Sequence, residues 1–380
     1  MSATTQPIDP PTPGHLPAIT GLRGVAALWV MLFHLYEFSH HADLRIGAVD
    51  VSGWLASGYL GVDLFFVLSG FLLAPAFIDL TRRRGLRTFW RHRFRRVLPA
   101  LWAQIVILLL VAALWGPGLP SAVEIFTNLT LSFNLLQNSS SINPVYWSLP
   151  VEWNFYLLLP LLALGFRGSA RRVSLTIAAW IAFSIGFRLL CVWAYGRYGT
   201  EALELARWII QLPGRIDQFV IGMGAAWLSL QTRIDSRRGG LLAWAGALAA
   251  LGLAALASHV GNFMGDLLQP WVWLFYPLIA VAFASLSLGV SSAPSGLIAR
   301  LLSVRPLVWV GMISYSLYLW HLPFLQAFQH LFARPIGLTD SVLLSTVILL
   351  AAWLSFVWIE RPFLPVRAAS QHESRASGPA

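Results

Sequence analysis

Four stretches of this 380-residue chain, 97–116, 240–258, 267–292 and 341–359, contain no charged side chain. About 20 apolar residues in a helix cross a hydrocarbon core of about 30 Å, and a helix satisfies its own backbone polar groups there. Only 11% of the residues are charged and 57% are hydrophobic, whereas a soluble domain carries about 25% charge. Lipid is the main solvent for such a chain. The expected fold class is all-α, a polytopic membrane helix bundle.

Turn residues and arginine clusters divide the chain into about ten candidate transmembrane helices, at 18–38, 57–79, 97–116, 146–166, 173–195, 213–230, 239–258, 270–292, 306–328 and 339–360. Cytoplasmic connections carry an excess of Lys and Arg, so the count can be tested internally. With a cytoplasmic N-terminus, nineteen arginines fall in the inner connections, and only Arg45, Arg197, Arg207 and Arg334 fall outside. Removing one span would invert the later connections and destroy that asymmetry. Both termini are therefore expected in the cytoplasm. Residues 1–15 and 364–380 are rich in small and polar residues and are expected to be disordered tails. Residues 16–363 form one membrane domain, with no signal peptide and no appended soluble module expected.

The formal charge of +10 comes from 26 basic residues, all arginine. Because topology accounts for their placement, no nucleic-acid partner is expected. Cys191 is the single cysteine, so no intrachain disulfide can form. No metal site is expected.

An ionisable residue inside a membrane span is a functional candidate by default. Arg23 and His34 lie eleven residues apart in LPAITGLRGVAALWVMLFHLYEF, which puts both on one helix face about 16 Å apart along the axis. Arg23 falls near the cytoplasmic face and His34 in the outer third. Asp63, Glu152, Arg188, Arg215, Asp217 and His321 fall at a depth similar to that of His34, which suggests a shared polar cavity. The alternative is a set of structural pairs, such as Asp63 with Arg215 or Arg188. On the inner side, TRRRGLRTFWRHRFRRVLP holds eight arginines. They read equally as an anchor against anionic lipid and, through Arg93 and Arg96 three residues apart, as a fork for phosphate. Glu360-Arg361-Pro362 reads as an ion pair and helix stop closing the last span, and Ser69 in LSGF as close helix packing.

The stretches ITGLRGVAALWVMLFH, GVDLFFVLSGFLL, RFRRVLPAL, YWSLPVEWNFYLLLP, SYSLYLWHLP and WIERPF together resemble acyltransferase family 3, the bacterial integral-membrane O-acyltransferases. The family's Arg-x10-His pair matches Arg23 and His34, its Arg-x-x-Arg motif matches Arg93 and Arg96, and its glutamate in Ser-Leu-x-x-Glu matches Glu152. Trp153 and Asn154 follow that glutamate where many members have a polar pair.

The resemblance implies a multi-pass protein of the bacterial inner membrane that moves an acyl group, commonly acetyl, from cytoplasmic acyl-coenzyme A. The acceptor would be a hydroxyl of a sugar, surface polysaccharide or glycosylated metabolite. Arg23, Arg93 and Arg96 would hold the coenzyme A phosphates. His34 would be general base, with Glu152 orienting it or assisting proton transfer. Tyr315 and His321 would contact acceptor or oxyanion, and Asp63 and Asp217 are further substrate-binding candidates. The rival class is a transporter or flippase for an envelope glycan or lipid-linked precursor, but the inverted repeats that mark many such folds are not seen.

Overall fold

A computed structural model describes residues 17–40, 45–46, 49–79, 85–116, 118–135, 139–198, 208–260 and 270–364. Both expected tails, Arg82, Arg83, Arg84 and Arg207 lie outside the described residues, residue 364 apart; the side chains of Arg45 and Arg197 do too.

The described chain is a helical bundle. Beside two short helical segments, Ser52–Ala56 and Leu297–Leu302, its helices are α1 (Pro17–Phe38), α2 (Leu60–Leu73, continued by the turn Pro75–Ile78), α3 (Leu86–Trp115), α4 (Ala122–Leu129), α5 (Ser148–Leu162), α6 (Ala170–Tyr198), α7 (Leu212–Gln231), α8 (Ser236–Val260), α9 (Pro270–Ser292), α10 (Arg305–Met312), α11 (Ser314–Phe332) and α12 (Leu338–Ser355). The one sheet among the described residues is a two-residue antiparallel pairing, Arg45–Ile46 with Val49–Asp50.

A helix stands at each of the ten expected spans, but not all ten are built alike. Among the described residues, eight helices are long and apolar enough to cross a membrane. The pair α10 and α11 makes a ninth span only as a broken one, bent by 77°. The expected span at 213–230 is α7, which is long enough but too polar, because it carries Arg215, Asp217 and Gln218, all buried. Lipid does not touch those groups; neighbouring helices do.

Burial orders the bundle. In α2 and α9 the apolar window is 72% buried, against 11% in α6 and 17% in the last span, so α2 and α9 are central. With α7 between them they form a tight core. A Cβ at Gly70 of α2 would come within 2.0 Å of the Phe219 carbonyl oxygen, and one at Gly222 of α7 within 2.2 Å of that of Val67. Only glycine lets the two backbones approach so closely.

Prolines inside three helices create further interhelical joints. A proline has no N–H, so the carbonyl four residues earlier loses its helical donor. Pro323 frees Leu319, whose oxygen accepts from Gln104 Nε2 (2.6 Å) and Asn143 Nδ2 (3.0 Å). Pro277 frees Trp273, which accepts from Arg188 Nη1 at 3.0 Å. Pro160 frees Tyr156, which accepts from Trp90 Nε1 at 3.4 Å.

Candidate active site

The arginine cluster of the third span is divided by helical periodicity. Arg87, Arg91 and Arg95 recur every four residues and are exposed, while Arg93 and Arg96 are partly buried and turn into a cleft between α1, α2, α3, α5 and α11. The cleft encloses about 820 Å³, counting its open mouth. Arg23 also lines it and donates to Ser314 Oγ at 3.0 Å, at the first residue of α11. Arg96 is ion-paired with Glu360. That glutamate is buried in the π-helical turn Phe356–Glu360 after α12, and its other oxygen accepts from Ser316 Oγ at 2.9 Å. Arg93 is different. Its guanidinium lies 6.0 Å and 5.8 Å from the ring centres of Phe89 and Tyr156, its Nε is buried without a hydrogen-bond partner, and among the described residues it has no carboxylate partner. It is an oriented cation with donors to spare.

Glu152 lines the same cleft, and Ser69 Oγ donates to it at 2.5 Å. The cleft continues past Tyr315 to Ser148 and Tyr318, whose hydroxyls lie 2.7 Å apart. One turn further along α11 stands His321, with its ring centre 5.8 Å from that of Tyr318. His321 is buried, and its Nε2 lies 3.2 Å from Nδ1 of half-buried His34. Two polar stations, arginines at one end and paired imidazoles at the other, therefore stand on the same two helices, α1 and α11, and the cleft lining reaches Tyr318, one turn from His321.

The family model for an acyltransferase domain matches residues 16–359. The chain belongs to the acyltransferase family. Within it, the chain is similar to the O-acetyltransferase OatA of Staphylococcus aureus, 27% identical over 378 residues, covering 92% of this chain and 57% of the relative. It is 25% identical over 370 residues to the peptidoglycan O-acetyltransferase OatA of Listeria monocytogenes, covering 92% of this chain and 56% of that one. The putative peptidoglycan O-acetyltransferase YrhL of Bacillus subtilis is 28% identical over 339 residues, with 81% and 48% covered. The chain thus spans about half the length of the curated relatives it matches. No solved structure matches.

For this acyltransferase-family chain, the expectation of one shared cavity at the depth of His34 needs correction. The polar residues form three groups. Glu152 sits in the inner cleft, where it accepts from Ser69 and not from His34. Ser69 serves more than packing: Gly70 makes the close approach, and the serine hydroxyl faces the carboxylate. Asp63 and Asp217 are not among the residues lining the cleft. They belong to a third group with Arg188 and Arg215, buried at 3% exposure or less. Asp63 accepts from Arg215 at 2.8 Å and Gln218 at 2.6 Å. Asp217 accepts from Arg188 at 2.5 Å. Arg188 also donates to the Gly214 carbonyl at 2.9 Å, and the Arg215 guanidinium stacks 3.9 Å from the ring centre of Tyr276. Two arginines and two aspartates make a neutral, closed set. Glu360 does close the last span with an ion pair, but its partner is Arg96, not Arg361, which is exposed. Tyr315 lines the cleft, with its hydroxyl donating to the Val97 carbonyl at 2.8 Å.

Proposed function

We propose that this chain transfers an acyl group, acetyl in the simplest case, from cytoplasmic acyl-coenzyme A to a hydroxyl of an envelope carbohydrate across a bacterial inner membrane. Arg93 carries this reading: a cation lining a cleft, with no ion-paired carboxylate among the described residues, suits a phosphate group. Arg23 and Arg96 flank it. The eleven-residue step from Arg23 to His34 spans about 16 Å, a reach suited to an extended thioester arm lying along α1. Relatives named as peptidoglycan O-acetyltransferases favour a glycan as acceptor. The topology that goes with this reading has both termini in the cytoplasm, so a protease site placed at the C-terminus is cut only from that side.

At the outer station His34 takes the proton of the acceptor hydroxyl as its oxygen attacks the thioester carbonyl. The new C–O bond forms, the C–S bond breaks, and the sulfur leaves and takes up a proton as the thiol. In this reading Glu152, which lines the inner cleft, meets the donor and does not orient the imidazole.

The decisive experiment uses the full chain in nanodiscs, labelled acetyl-coenzyme A and N-acetylglucosamine oligomers as probe acceptor. Loss of a general base lowers turnover by about 10²–10⁴. His34→Ala is expected to fall in that range with the fold intact; turnover at the wild-type rate would refute the assignment of His34.

A further inference from the structure

From the three contacts of the histidine pair we infer that His321 is a positioning residue, which fixes the tautomer of His34 so that its Nε2 keeps an unprotonated lone pair. The inference rests on the reading of His34 as base and assigns the second histidine a task.

A carbonyl oxygen only accepts hydrogen bonds, so a ring nitrogen facing one must carry a proton. His321 Nδ1 lies 3.1 Å from the Leu317 carbonyl oxygen. That nitrogen is therefore N–H, and in the neutral ring Nε2 is left as an acceptor. The acceptor faces His34 Nδ1 at 3.2 Å, and the same His34 nitrogen lies 2.9 Å from the Val30 carbonyl oxygen. Both neighbours of His34 Nδ1 are acceptors, so it carries the proton and shares it between them. His34 Nε2 is then unprotonated, the state a general base requires. The reverse assignment, with His321 donating, sets two imidazole lone pairs against two carbonyl oxygens and satisfies neither.

The rest of the site holds this arrangement. The bonds of Gln104 and Asn143 to the Leu319 carbonyl pin α11 two residues before His321. Tyr318 is in ring contact with His321 and its hydroxyl is bound by Ser148 and the Val145 carbonyl, while Tyr146 is bound to Gln104. Among the described residues neither ring has a carboxylate or guanidinium in ion-pair range. When His34 takes up a proton, the lone pair of His321 is the side-chain acceptor left to stabilise the cation. The logic is that of the third group in a catalytic triad, carried here by a neutral ring.

Two polar substitutions separate positioning from packing. Glutamine can carry its amide oxygen to the place of Nε2, whereas asparagine reaches only the level of Nδ1 and can still bond the Leu317 carbonyl. In the nanodisc assay, His321→Gln is expected to keep turnover within about threefold. His321→Asn is expected to lose about tenfold or more with the KM for acetyl-coenzyme A unchanged, and the acid limb of its pH profile moves to lower pH because the imidazolium has lost an acceptor. Independently of any acceptor, ¹⁵N-histidine-labelled protein is expected to show a protonated Nδ1 and an unprotonated Nε2 for His34, assigned by their loss in His34→Ala. A protonated Nε2 in the wild-type protein, or equal behaviour of the Asn and Gln variants, overturns the positioning role. Wild-type turnover by His34→Ala would overturn the base assignment and leave the tautomer result standing.

Discussion

Two groups of arginines lie within this bundle, and they are finished differently. Around α7, Arg188 and Arg215 meet Asp217 and Asp63, main-chain carbonyls and the face of Tyr276, and the group is closed to solvent and neutral. At the inner cleft, Arg96 has Glu360 and Arg23 has Ser314, but Arg93 is left with aromatic faces and an unpartnered Nε. A completed ion network holds helices together. An incomplete one, facing a cleft, is ready for an anion that no described residue supplies as an ion pair. Buried charge alone does not mark a site in a membrane protein; the unfilled valence of its hydrogen-bonding groups does.

The contrast can be broken by exchanging the expected phenotypes. Arg215→Met strands Asp63 as a buried carboxylate, and losing one partner of a buried pair costs about 3–5 kcal/mol. Unfolding in detergent should show that loss, with the double variant Arg215→Met/Asp63→Leu recovering part of it. Arg93→Met should leave stability nearly unchanged and weaken coenzyme A binding by about ten- to a hundredfold, since one charge-assisted bond is worth about 1.5–3 kcal/mol; isothermal titration reads it directly. If Arg93→Met destabilised as much as Arg215→Met and left coenzyme A binding intact, the two groups would be of one kind.

The smallest effect lies outside both groups, in the cap of α4. There Ser140, and then Ser121 with its N–H and hydroxyl, hold the Glu124 carboxyl below its ordinary value of 4.5. A depressed carboxyl supports the fold fully above its unfolded value, and the support is lost as pH falls through the folded one. Amide exchange over 121–130 should rise below about pH 4.5 and lose that step in Glu124→Gln, while exchange around α7 stays flat.

Much of this was legible beforehand because it depends on local pattern. Charge-free runs gave the helices, and the three-residue spacing of Arg93 and Arg96 gave their shared face. The eleven-residue spacing likewise gave Arg23 and His34 one side of α1. Partners were not legible. Ser69 and Glu152 are 83 residues apart, Arg96 and Glu360 are 264 apart, and His34 and His321 are 287 apart. Depth along a span limits which residues can meet but leaves rotation about each helix axis free, and rotation decided these pairs. Reading Asp63, Asp217 and Glu152 as one cavity used depth without rotation. The polarity of α7 was visible in GRIDQF and could have warned that this helix is shielded from lipid by its neighbours.

Pro323, Pro277 and Pro160 carry no polar side chain, yet each decides where a distant polar side chain binds. On a helix-propensity scale each would be marked for replacement by alanine, at a nominal gain of about 3 kcal/mol. Here the sign of that advice reverses. Restoring the backbone N–H at 323 hands the Leu319 oxygen back to its own helix, and the amides of Gln104 and Asn143 lose their acceptor beside the histidines. For this bundle a helix-breaking residue is part of the specification for how other helices register against it.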